Sequence, residues 1–190
     1  MSLVNSDTLL PDTVPYLPGA PEALIKRTIA RACRDFAVIT GSWRAEIKID
    51  SVVDQIEYPI SLTTVGDDLR PSSVIKLTDD DDQEVSEDYF GFKATTETLT
   101  IDERLVPDEN TTDAWTALVE IEPKPKCRQF PDWFFELYLE AITGKTLELL
   151  AQMENRPWFS RVLFETGRRE WRRGVQRAMI DTNGDFEISG

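Results

Sequence analysis

The sequence predicts an α+β fold: a helical body, made of an N-terminal helix and a C-terminal helical hairpin, with an antiparallel β-sandwich or small barrel inserted into it. Three observations predict it. Ile25, Ile29, Ala32, Phe36 and Ile39 recur at spacings of four, three, four and three, the amphipathic-helix pattern. From Trp43 the apolar period changes to two and stays so in short runs as far as Ile121. From Phe130 to Ile180 the pattern returns to helix, broken once at Glu154-Asn155-Arg156-Pro157.

In chain order, residues 1–20 read as an extended arm. Pro11, Pro15 and Pro18 favour extended or turn geometry, and Leu9, Leu10, Val14, Tyr16 and Leu17 give it apolar contacts to lay on a neighbouring surface, that of another subunit included. Gly19-Ala20-Pro21 opens the first helix and Thr40-Gly41 stops it with a C-terminal glycine. Lys26, Arg27, Arg31 and Arg34 occupy its other side. Trp43, Ala45, Ile47 and Ile49 then alternate with polar residues as a half-buried strand, and Ile56, Tyr58, Ile60 and Leu62 repeat the alternation. Pro59 faces the polar side and marks an edge strand. Further strands are expected at Ser73–Leu77, Tyr89–Phe92, around Leu99 and Ile101, and from Trp115 to Ile121.

The hairpin begins at Pro131, placed as a first helical residue. Tyr138, Ile142, Leu149 and Met153, with Leu137, Ala141 and Leu150, cover more than one stripe, so this helix is expected between other elements. Gly144 in its middle costs about 1 kcal/mol against alanine, which the close approach of another backbone would offset. The second helix is expected to run from Pro157 to Ile180. Phe164, Gly167, Trp171, Val175 and Ala178 form one face, and Arg168, Arg169, Arg172, Arg173 and Arg177 much of the rest. The domain reading is therefore an arm (1–20), a helical body (21–42 with 125–180), an inserted β-module (43–124) and a flexible C-terminal tail (181–190).

Composition narrows the chemistry. The 190 residues carry a formal charge of −14 and no histidine. The first argues against general nucleic-acid binding, which needs a basic footprint. The second removes the commonest general base and metal ligand. Cys33 and Cys127 have no partner at metal-ligand spacing and read as buried thiols. No apolar run is long enough to span a bilayer, and the N-terminus lacks the regions of a signal peptide, so the product is expected to stay in the cytoplasm where it is made.

Two stretches and a link between them resemble a known family. They are Pro21–Ile25 through Ala32-Cys33-Arg34-Asp35-Phe36 to Thr40-Gly41-Ser42-Trp43-Arg44, and Leu137–Leu150 followed by Asn155-Arg156-Pro157-Trp158, with Tyr58-Pro59-Ile60 between. The pattern resembles the head-to-tail adaptor (connector) proteins of tailed bacteriophages. Its most specific piece is the Ala141-Ile142-Thr143-Gly144 helix, the pair Leu149-Leu150, then the Pro157-Trp158 elbow. Lys145 stands where the family often has alanine and is expected to be exposed. The resemblance implies a virion protein of the head-tail neck, assembled as a ring, usually of twelve, beneath the portal protein. Its other partner would be a tail, stopper or tail-terminator protein. Genomic DNA would pass through the channel without specific binding. No membrane, cofactor, metal or catalysis is implied.

In such an assembly, residues that bind the portal or a neighbouring subunit are expected at Arg168, Arg172, Arg173 and Arg177, since arginine clusters suit carboxylate or phosphate partners. The tail adds Phe186 and Ile188, two apolar anchors that an extended segment points to one side; Asn183 and Gly184 are expected to break the helix before it. Arg27, Arg31 and Arg34 are the expected subunit interface, meeting acidic surfaces on a chain that otherwise repels itself. The run Asp79–Asp82 reads as a solvated hairpin loop, because consecutive strand carboxylates point to opposite faces and converge poorly on a cation. Asp181-Thr182-Asn183-Gly184-Asp185-Phe186 opens like a calcium loop but has Phe186 where glycine is needed, and is discarded. The alternative from another class is a cytoplasmic carboxylate-dependent hydrolase with its site on the β-module. Asp132 and Glu136, one helical turn apart, are a carboxylate pair with nothing convergent beside it.

Overall fold

The computed structural model describes residues 2–106 and 109–184, and of Asn183 and Gly184 the backbone alone. The fold is mixed α+β with antiparallel sheets and a C-terminal helical hairpin. In chain order the elements are β1 (Leu3–Asn5), α1 (Leu10–Thr13), α2 (Glu22–Thr40), β2 (Arg44–Ser51), β3 (Glu57–Pro59) and β4 (Leu69–Asp79). There follow β5 (Phe90–Lys93), β6 (Thr98–Ile101), β7 (Thr111–Pro123), β8 (Gln129–Pro131), α3 (Asp132–Ala151) and α4 (Arg161–Gly184). The chain divides into two compact units, Met1–Ser42 with Pro125–Gly190, and Trp43–Lys124.

In the helical unit, α2 buries Ile25, Ile29, Ala32 and Phe36, as its spacing requires. Ile39 is 47% exposed, a departure from the expected stripe, and Cys33, Ala37 and Thr40 are buried instead. Gly41 ends the helix in the left-handed region at φ 58°, its amide donating to the Ala37 carbonyl. Phe36 is the hub of the core: its ring lies 5.5 Å from Phe134, 4.8 Å from Tyr138 and 5.7 Å from Trp171, which ties α2 to both helices of the hairpin.

The first twenty residues are not an extended arm. β1 pairs antiparallel with β8, and residues 6–16 are short helical turns in which Pro11 and Pro15 sit in first-turn positions, where a missing N–H costs nothing. Leu9 and Leu17 are buried in the same unit, so these apolar residues are consumed by their own chain. Two further boundaries differ from expectation. Pro157 lies in the connection, and α4 begins at Arg161 with Ser160 as its cap: Ser160 Oγ accepts from the Leu163 amide at 3.3 Å. At the other end α4 does not break at Asn183 but runs on to Gly184. Residues 185–190 of the expected tail lie outside the described residues.

The β-unit holds two three-stranded antiparallel sheets, ordered β2-β7-β4 and β3-β6-β5. β7 is the central strand of the first, pairing Ile47 with Ala117 on one side and Leu77 with Ala117 on the other. Register shifts at Ile49/Ser51, Pro71/Ser73 and Val74/Lys76 mark bulges in its partners. β3 is the edge of the second sheet, with Tyr58 buried and Pro59 exposed. Side chains of both sheets share one core around Tyr58, Leu77, Leu99, Ile101, Trp115 and Val119. Tyr58 and Trp115 meet edge to face at 5.2 Å, and the Tyr58 hydroxyl donates to the Gln55 carbonyl at 2.6 Å, so the ring is buried without stranding its polar end.

Candidate functional site

The α3–α4 hairpin presents the most distinctive surface, and glycine makes it possible. A Cβ on Gly144 would stand 2.8 Å from the Gly167 carbonyl oxygen; one on Gly167 would collide with the Gly144 carbonyl, and one on Gly174 with the Ala141 methyl. Gly144 is therefore compensated by close backbone approach, as its place in the sequence suggested. Beside this contact Lys145 is half-buried, not exposed. Its ammonium lies 2.9 Å from Glu148 Oε2 and 5.2 Å from the centre of the Trp171 ring, a cation held between a carboxylate and an aromatic face.

Because the small residues bring one side of α4 onto α3, its other sides face outward. Arg161, Arg168 and Arg172 fall on one stripe by their spacing, and all are exposed. A shallow groove of about 410 Å³ runs here between Glu165, Arg168, Arg169, Arg172, Arg173 and Gln176. Part of the positive charge is used locally: Arg173 and Arg169 approach Glu170 at 3.2 and 3.4 Å, and Arg177 approaches Asp181 at 3.7 Å. Arg161, Arg168 and Arg172 have no carboxylate partner among the described residues.

A second cleft, of about 300 Å³, opens where α3 kinks at Tyr138 (φ −127°, ψ 20°). Glu136, Leu137 and Glu140 line it from α3, and Glu170, Arg173 and Arg177 from α4. The Tyr138 hydroxyl donates to Asp181 Oδ2 at 2.9 Å. Sequence reasoning missed this cleft, since neither a proline nor a glycine stands at the kink. Asp132, the other half of the carboxylate pair, accepts the Trp133 amide at 2.9 Å, while Glu136 is exposed.

The three arginines expected on α2 do not act as a set. Arg27 is exposed and has no carboxylate partner among the described residues; Arg31 pairs with Asp35 at 3.7 Å. Arg34 is half-buried and donates from Nη1 to the Cys127 carbonyl at 3.3 Å. Burial, and then the neighbouring Arg128, lower its pKa. Arg34 therefore serves the interior of its own unit, a correction to its expected place in an interface. Cys33 and Cys127 are both buried and form no disulfide, the Cys127 thiol donates to the Gln129 carbonyl at 3.1 Å, and burial pushes the Cys33 thiol far up. Phe186 and Ile188 lie outside the described residues.

The acidic run forms a turn at the end of β4. Asp79 Oδ1 accepts from the amides of Asp81 and Gln83 at 3.1 and 2.7 Å, and Lys76 pairs with Glu84 at 3.0 Å. Asp80, Asp81, Asp82, Glu87 and Asp88 are exposed. No group of three metal-ligating residues that could hold an ion is present among the described residues. No protein-family model matches this chain, and no curated protein is similar to it.

Proposed function

We propose that this chain is a structural virion protein, a head-tail connector subunit that forms a ring beneath the portal, joins capsid to tail and leaves a channel for DNA. The observation that carries the reading is the glycine-closed α3–α4 hairpin. Its first helix and elbow include the residues on which the resemblance to connector proteins is most specific, Ala141-Ile142-Thr143-Gly144 through Pro157-Trp158, and its second helix leaves an arginine face exposed on an acidic chain. An assembly protein needs rigid elements that present charged surfaces to partners, and a helix pair in backbone contact is rigid. Its partners are the portal protein on one side and a tail, stopper or tail-terminator protein on the other, with twelve copies to the ring. A net charge of −14 suits a channel that DNA must traverse without binding. The mechanism is assembly, and its place is the neck of the virion.

The test is complementation of assembly. In a phage from which this chain has been removed, filled heads and finished tails should accumulate unjoined. Adding the purified protein should restore joined particles. Removing residues 185–190, with Phe186 and Ile188, should abolish its binding to portal. Heads and tails that join at normal yield without the chain overturn the reading.

A further inference from the structure

We propose that the arginine face of α4 binds the acidic β-unit of a second copy of this chain, in a contact repeated from copy to copy. The inference starts from how charge is divided. Residues 43–124 hold 21 Asp and Glu against 7 Lys and Arg, and the rest of the chain holds 14 against 14. The whole net charge of −14 thus belongs to the β-unit, and the helical unit is neutral overall. Within that neutral unit α4 is positive, with arginines at 161, 168, 169, 172, 173 and 177 against Glu165, Glu170 and Asp181.

On each surface the charges left over are those that face outward. On α4, Glu170 and Asp181 serve Arg169, Arg173 and Arg177, which leaves Arg161, Arg168 and Arg172 on one stripe with no ion-pair partner among the described residues and Glu165 as the single carboxylate between them. On the β-unit, Lys76 takes Glu84, while exposed Asp80, Asp81, Asp82, Glu87 and Asp88 have no cation partner among the described residues. Guanidinium forks bind carboxylates in bidentate geometry, so this is the anion that such a stripe fits. A nucleic acid would also supply anions, but it would have to approach a chain of net charge −14. A second copy brings its carboxylates on a unit whose partner surface is already matched to them.

The two surfaces are different, so the contact is heterologous. Each copy added leaves one arginine face and one acidic unit unused, and the assembly either closes into a ring or extends. The contact deepens the virion reading, whose ring needs a contact between copies, but the two are tested apart, since that reading is lost or kept by the joining of heads to tails. Ionic strength acts in two ways. Repulsion between whole copies is long-ranged and is screened first, whereas close pairs are screened only at higher salt. Association should therefore be strongest at intermediate salt.

The test compares the full chain with two charge-reversed variants, Arg168→Glu/Arg172→Glu and Asp80→Lys/Asp81→Lys, by sedimentation velocity over a range of concentrations. Wild type should sediment as species larger than the monomer as concentration rises, and each variant alone should lose that association by about tenfold or more in concentration. The aspartate variant is the sharper of the two, because it lowers net repulsion and should still associate less. An equimolar mixture of the variants should recover association, because the intact arginine face of one meets the intact acidic unit of the other and the two reversed surfaces also match. Circular dichroism checks that the variants fold; if one does not, Arg168→Gln/Arg172→Gln or Asp80→Asn/Asp81→Asn replaces it with the same direction expected. A wild type that stays monomeric throughout, variants that associate like wild type, or a mixture that stays monomeric would each overturn the proposal. So would a duplex oligonucleotide that binds wild type through Arg168 and Arg172 while the aspartate variant associates normally.

Discussion

The helical unit and the β-unit close their cores differently. Both use large rings, Phe36 in the first, but only the helical unit adds contacts where side chains are missing: Gly144 meets Gly167 backbone to backbone, and Gly174 admits the Ala141 methyl. In the β-unit the decisive contacts are made by large rings, Tyr58 against Trp115, and its glycine at position 91 has open space where a Cβ would stand. The first arrangement tolerates no added atom and the second no lost one. The charge is divided as sharply, since the helical unit is neutral overall and the β-unit carries all of the −14.

The largest effects should come from emptying either core. Phe36 touches three rings of the helical unit and Trp115 lies at the centre of the β-unit core, so alanine at either position should cost about 3–5 kcal/mol. Because each unit has its own core, calorimetry should find Phe36→Ala and Trp115→Ala lowering different transitions. A single transition lowered equally by both would break the comparison.

Next in size is the glycine contrast. Gly167→Ala gains helix propensity of about 1 kcal/mol, yet its methyl would meet the Gly144 carbonyl, a backbone atom that cannot swing aside. Overpacking should win, with a net loss of about 1–3 kcal/mol. Gly91→Ala meets nothing and should leave stability unchanged or raise it by up to about 1 kcal/mol. Urea unfolding of the two variants decides this; equal effects would remove the distinction.

How much of this was legible in the sequence follows from the range of each cause. Periodicity exposed α2, the hairpin and the inserted strands, because an apolar face repeats over many residues. It could not expose β1 and β8, three residues each, where alternation has no room to show. The prolines misled twice: Pro11 and Pro15 start short helices in place of forbidding them, and Pro157 precedes a helix that Ser160 begins. At the candidate site, the arginines of α4 could be read from sequence because a helix face is local. That Arg34 turns inward could not, since its acceptor, Cys127, is 93 residues away. The partner of the Tyr138 hydroxyl was illegible for the same reason, since Asp181 is 43 residues on.

The smallest effects belong to the outer end of the hairpin, where the helical unit is held by polar contacts in place of packed glycines. Tyr138→Phe removes the hydroxyl that donates to Asp181 Oδ2 at 2.9 Å. A hydrogen bond to a charged acceptor contributes about 1.5–3 kcal/mol, but Asp181 is exposed and water replaces the lost donor, so about 1 kcal/mol is expected. The buried ring stays in place against Phe36, which keeps the core out of the result. Truncation provides the second arm. Ending the chain after Gly184 leaves Asp181 and the buried Thr182 in α4 and should leave the melting temperature unchanged. Ending it after Ile180 removes both and should lower stability by at least as much as Tyr138→Phe. The two changes share one contact, so combining that deeper truncation with Tyr138→Phe should cost less than the separate losses added together. Strict additivity would show that the Tyr138–Asp181 contact contributes nothing, and that the end of α4 is held by its other contacts, the buried Ala178 and Thr182 among them.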